Sequence, residues 1–94
     1  MKNKYNDNRL AEEFDLIVVT GGAQEQGGLH LGEIGTLTYA YTGANKPLYA
    51  EFACADGTKK EQALDLNDFR VLDVKNPNDL SVIVRYLKSL RKNA

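Results

Sequence analysis

One histidine and one cysteine, His30 and Cys54, are the chain's whole stock of side chains suited to nucleophilic or soft-metal chemistry. A thiolate works beside a base or a positive field, so a Cys-His dyad would have to join a residue in a glycine-rich stretch to one on an apolar strand. Nothing in the spacing brings them together. A single imidazole among scattered carboxylates lacks the ligand count of a zinc site, and no acidic stretch has the calcium-binding pattern. Glu12-Glu13 and the pair Asp65 and Asp68 lie in polar segments where solvation explains them. These residues predict no catalytic group, no metal site and no cofactor.

Recognition chemistry is better represented. The stretch Thr20 to Gly28, TGGAQEQGG, has the glycines of a phosphate cradle but neither its Lys-Ser/Thr ending nor a following helix. As a surface loop it offers hydrogen bonds from Gln24 and Glu25, with His30 just beyond. Tyr39, Tyr41 and Tyr49 are amphipathic and serve either as packing at the rim of a core or as aromatic contacts for a partner. Cations gather at the other end. Arg85, Lys88, Arg91 and Lys92 give the last ten residues a charge of +4, which leaves −5 on residues 1–84 of a chain whose net charge is −1. Such a tail answers the negative end of a helix dipole, or it tracks phosphates with help from Lys59, Lys60 and Arg70.

The elements that would hold these groups follow from hydrophobic periodicity. With 94 residues, 43% hydrophobic and 27% charged, the chain suits one globular domain. Its longest apolar run, Leu16 to Val19, is far short of the roughly 20 residues that cross a bilayer. The N-terminus lacks the apolar core of a secretory signal, which predicts a cytoplasmic protein without membrane contact, and a lone cysteine fits that compartment. Residues 1–13 read as a polar segment, loose over residues 1–8, with a helical turn over Arg9 to Phe14.

Phe14 to Thr20 reads as a central strand because Ile17, Val18 and Val19 leave neither face polar. Ile34 to Thr42 alternates, with Leu37, Tyr39 and Tyr41 on one face. Leu48 to Cys54 alternates again, with Leu48, Ala50, Phe52 and Cys54 on the apolar side. Asp56-Gly57 predicts a tight type I′ hairpin, in which both central residues have positive φ. A polar edge strand over Lys59 to Leu66, a turn over Leu66 to Phe69 and a short strand over Arg70 to Val74 complete the sheet. Asn76 as cap, Pro77 at the first position and Asp79 near the positive dipole end start a helix over residues 76–94. Its stripe of Leu80, Ile83, Val84, Leu87 and Leu90 must pack on the sheet or on a second copy.

Five short strands, a long first loop and one tight turn before the last strand predict a mainly β fold, a five-stranded SH3-like small barrel over residues 14–75 with a C-terminal amphipathic helix. Within residues 15–74, LIVVTGG, GLHLGEIGTL, YAEFACADG and LDLNDFRVLD resemble small SH3-like β-barrel proteins encoded by tailed bacteriophages. The resemblance implies a phage origin, a host cytoplasm and a site grafted on a widely used scaffold. The absence of tryptophan argues against recognition of proline-rich peptides.

The expectation is a non-enzymatic accessory protein that binds a host protein, as an inhibitor or modulator of a host or defence factor, using Tyr39, Tyr41, Tyr49, Gln24, Glu25 and His30. Alternatives are nucleic-acid binding through Arg85, Lys88, Arg91 and Lys92, sequestration of a nucleotide, and a homodimer formed through the helix.

Overall fold

In the computed structural model, which describes residues 3–21, 30–39, 48–54 and 56–92, five antiparallel strands form one sheet and a single α-helix follows. The strands are β1 (Leu16–Val19), β2 (Ile34–Tyr39), β3 (Leu48–Ala53), β4 (Lys59–Leu64) and β5 (Phe69–Val71), in the order β4-β3-β2-β1-β5. Pairing leaves β4 and β5 as edges, so the hydrogen-bonded ladder stays open. The polar strand β4 is an edge, as its composition predicts.

β1 lies inside the sheet for the reason its sequence gives. Alternation sends Ile17 and Val19 into one apolar cluster with Leu37, Leu48, Phe52, Leu64, Phe69 and Val71. Val18 goes to a second cluster with Ile34 and Leu72, on the other side of the sheet. The strand starts two residues later than expected, since Phe14 has φ +71 and is 76% exposed. In β3, Leu48, Ala50 and Phe52 are buried while Tyr49 and Ala53 are exposed, as alternation requires. Cys54, at the strand's end, is partly buried.

In β2 the pairing is irregular. The β2–β3 register slips between Leu37, opposite Ala50, and Tyr39, opposite Tyr49. Thr38 is the extra residue on β2 at this point, so the ladder departs from regular pairing. The predicted end of this strand, Tyr41 included, falls outside the described residues.

The hairpin between β3 and β4 also differs from the type I′ expectation. Gly57 has φ +89, but Asp56 does not share the positive φ. The Gly57 amide donates to the Cys54 carbonyl at 3.0 Å and the Cys54 amide to the Thr58 carbonyl at 2.8 Å. This is a longer connection with one left-handed glycine, and Asp56 serves it by accepting from the Thr58 amide at 3.0 Å and hydroxyl at 2.6 Å.

Residues 3–13 are tied down, contrary to the loose segment expected near the N-terminus. Asn8 Nδ2 donates to the carbonyls of Leu66 and Phe69 at 2.6 and 2.7 Å, and Asn8 opens a one-turn 3-10 helix (Asn8–Leu10) that leads to buried Ala11. Lys4 pairs with Asp15 at 2.9 Å. The turn before β5 holds Asp68, which is buried despite its charge. Its carboxylate accepts from the Asp65 amide at 3.0 Å, and its carbonyl from the amides of Thr20 and Gly21 at 2.9 and 3.1 Å. Backbone demand, not solvation, fixes this carboxylate.

The helix α1 (Pro77–Lys92) starts as its cap residues predict, with the Asn76 side chain accepting from the Asn78 amide at 2.9 Å. It covers the second cluster with Val82, Ile83 and Tyr86, all half-buried. Asp79 does more than answer the dipole. It is buried and bonded to Arg70 of β5.

Candidate functional site

The helix covers the sheet with only part of its apolar surface. The predicted stripe divides: Ile83 turns to the sheet, joined by Val82 and Tyr86, whereas Leu80, Val84 and Leu87 are 47%, 43% and 54% exposed. Positions i, i+4 and i+7 lie along one line of an α-helix, so these three side chains form an outward apolar row. Pro77, Leu80, Ser81, Val84, Arg85 and Lys88 line a shallow groove of ≈ 410 Å³ there. The cations make its rim basic. Arg91 and Lys92 continue the same helix through its last turn.

Leu87 also reaches a second cleft, of ≈ 300 Å³, between the helix and the sheet. Ile83, Tyr86 and Leu90 form its helical wall, and Ala53 lies on its sheet side. An ion pair, Lys59 to Glu51 at 3.5 Å, joins two further residues of this cleft. Burial pushes the Tyr86 phenol above its ordinary value, with the charge of Glu33 adding to the effect.

The other cations expected to meet phosphate are engaged by carboxylates. Arg70 holds Asp79, Lys59 holds Glu51, and Lys60 lies 3.7 Å from Glu33. Near Arg70, a depression of ≈ 570 Å³ separates the N-terminal segment from the turn before β5, and its other arginine, Arg9, pairs with Asp7 at 3.1 Å.

The residues expected to recognise a partner are not assembled into the helix groove. Tyr49 is 38% exposed on β3, where Thr38 Oγ1 donates to its carbonyl at 3.3 Å. Tyr39 is placed opposite it by register. His30 is exposed, and its amide donates to the Glu33 carboxylate at 3.1 Å. Gln24, Glu25 and Tyr41 lie outside the described residues. No hydrogen bond joins His30 to Cys54 among the described residues.

Composition alone did not reveal Phe14. Its φ of +71 is the one positive value at a non-glycine position among the described residues, and a bulky side chain there is an outlier. The neighbouring hydrogen bonds impose it: the Phe14 amide donates to the Leu37 carbonyl at 2.7 Å, and the Leu37 amide to the Asp15 carbonyl at 2.9 Å. The Glu12 amide closes the turn onto the Asp15 carboxylate at 2.7 Å. An aromatic ring thus projects from an acidic turn, Glu12-Glu13-Phe14-Asp15. The sequence signal for it is a large apolar residue set among three acids.

No family model, curated protein or solved structure matches this chain. What its surface can do rests on its own chemistry. No helix among the described residues is long and apolar enough to cross a membrane. Among the described residues, two exposed apolar features stand out: a basic-rimmed apolar groove and an aromatic knob in an acidic turn.

Proposed function

We propose that this chain is a non-enzymatic binding module of SH3-like barrel architecture that captures a partner protein with the outward face of α1. The architecture is supported by the strand order, by the register shift between β2 and β3, by the turn just before β5, and by one core cluster that draws on all five strands. The resemblance of residues 15–74 extends the reading to a phage-encoded accessory protein that inhibits or modulates a host protein in the host cytoplasm.

One observation carries the proposal. Leu80, Val84 and Leu87 remain outward on a helix whose opposite side is already docked, so packing among the described residues does not explain them. Apolar anchors in line, rimmed by Arg85 and Lys88, suit an acidic amphipathic segment laid along the groove. Phosphate tracking is less well supported, because Arg70, Lys59 and Lys60 sit beside carboxylates.

The test compares the tagged chain with a Leu80→Asp, Val84→Asp variant in capture from bacterial lysate. A protein retained by the wild type and lost by the variant, with circular dichroism unchanged, is the expected result. Retention that ignores the substitutions, or no retention at all, overturns the reading.

A further inference from the structure

We infer that the free protein self-associates, with the Phe14 turn of each copy seated in the α1 groove of the other. The inference rests on the reading of that groove as a docking surface and names what fills it before a partner arrives. Two unrelated observations meet in it.

The first is that Phe14 is a liability in a single copy. Its ring is 76% exposed and its backbone is held at φ +71, so the residue is strained and buries little. Strain of this kind persists where the surrounding structure over-determines it and tends to mark functional positions. Here the Leu37, Asp15 and Glu12 hydrogen bonds hold the turn. A ring so presented is pre-organised and loses little freedom on docking, while burying about 150–250 Å² of surface.

The second is complementarity. The knob is flanked by Glu12 and Glu13, both exposed; Lys4 lies 3.9 Å from Glu12 and 2.9 Å from Asp15, so the three carboxylates leave the turn net acidic. The groove is rimmed by Arg85 and Lys88, also exposed. The groove floor is aliphatic, from Pro77, Leu80 and Val84, and has room for a ring. Acid-flanked aromatic and base-flanked aliphatic surfaces on one molecule attract each other between copies and repel their own kind. A two-fold axis lets each copy give its knob and receive the other's, so both contacts form at once and the assembly closes as a dimer. A partner that uses the groove must then displace the second copy, which makes capture sensitive to protein concentration.

The experiment is sedimentation velocity on the purified chain from about 1 to 500 µM, over which a weak dimer changes its population by mass action. The mass is expected to rise from one chain toward two, less so at high salt, where exposed charges are screened. Phe14→Ala is expected to weaken association by at least about tenfold without loss of helix signal, because the ring is outside the core. Glu12→Lys, Glu13→Lys in one variant and Arg85→Glu, Lys88→Glu in another each set like charges against like, and each is expected to be monomeric. Mixed in equal amounts, the two variants restore both contacts and pair. A wild type that stays monomeric throughout, a dimer indifferent to Phe14→Ala, or charge variants that fail to pair on mixing overturns the inference. Loss of lysate capture with the dimer intact sinks only the partner reading, and a monomer that still captures through Leu80 and Val84 sinks only this one.

Discussion

Arg70 reaches from β5 to the carboxylate of Asp79 with both terminal nitrogens, at 3.0 and 3.3 Å, and so fastens the first turn of α1 to the sheet edge. The Asp73 amide donates to the same carboxylate at 2.9 Å. One side chain therefore closes the connection between strand and helix, and it sets which side of the helix faces inward. The outward row of Leu80, Val84 and Leu87 follows from that choice.

Replacing Asp79 with Asn is expected to cost about 1–3 kcal/mol at neutral pH, since a charge-assisted pair is weakened and Arg70 is left without its anion. Arg70 first, and the Asp73 amide next, hold the Asp79 carboxyl below its ordinary range, against the opposing effect of burial. A depressed carboxyl stabilises the fold above the unfolded value of about 3.9 and loses that contribution as pH falls through the lower folded value. Urea titrations should show the wild type and variant converging in acid below that point. A gap that stays constant down to strong acid would show that the ionised pair is not the cause.

Asn8→Ala is expected to destabilise the chain by about 1–2 kcal/mol, because the Leu66 and Phe69 carbonyls lose their shared donor. The loss should be local as well as global. Limited proteolysis should cut the variant within its first eleven residues at protease levels that leave the wild type whole, and equal cleavage would refute the tie.

The Asn8 contact shows where the sequence was legible and where it was not. Ile17 to Val19, Leu48 to Phe52 and the Asn76-Pro77 helix start each state a local rule, and each element formed where the rule puts it. Asn8 meets Leu66 across 58 residues of chain, and Asp68 supports the backbone of Thr20 and Gly21 across a similar gap. No periodicity encodes such pairings. The helix stripe was visible as apolar residues at the right spacing, but its division depended on the Arg70 to Asp79 link, which fixes rotation about the helix axis. The knob at Phe14 was hidden for a related reason: its positive φ is imposed by hydrogen bonds to β2 rather than by its own preference.

Gly35→Ala is expected to cost about 1–3 kcal/mol by overpacking. Gly35 is paired with Phe52 in the β2–β3 register, and a Cβ at this glycine would stand 2.7 Å from the Phe52 ring and 2.9 Å from the Glu51 carbonyl. Since Phe52 is fully buried, its ring has little room to yield. Phe52→Leu should be destabilising alone yet should make Gly35→Ala less damaging. A thermal-melt double-mutant cycle with zero coupling would sink the account.

Tyr86 supplies an alkaline test of helix docking. Burial, and then the Glu33 charge, raise its phenol above the ordinary value, while the Ile34 amide pulls the other way. For an acid whose folded value is raised, the neutral form is what the fold prefers. Its stabilising contribution is intact below the unfolded value of about 10 and is lost as pH climbs through the higher folded value, because the unfolded chain releases its proton first. The helix should therefore loosen in alkali more readily in the wild type than in Tyr86→Phe, which keeps the ring against Val18, Ile34 and Leu72 but has no proton to lose. Helix ellipticity and denaturant midpoints across this range measure it, with both proteins expected to agree near neutrality to within about 1 kcal/mol. Parallel alkaline curves would mean that Tyr86 is not held in the helix–sheet interface, and the outward orientation of Leu80, Val84 and Leu87 would lose its geometric basis.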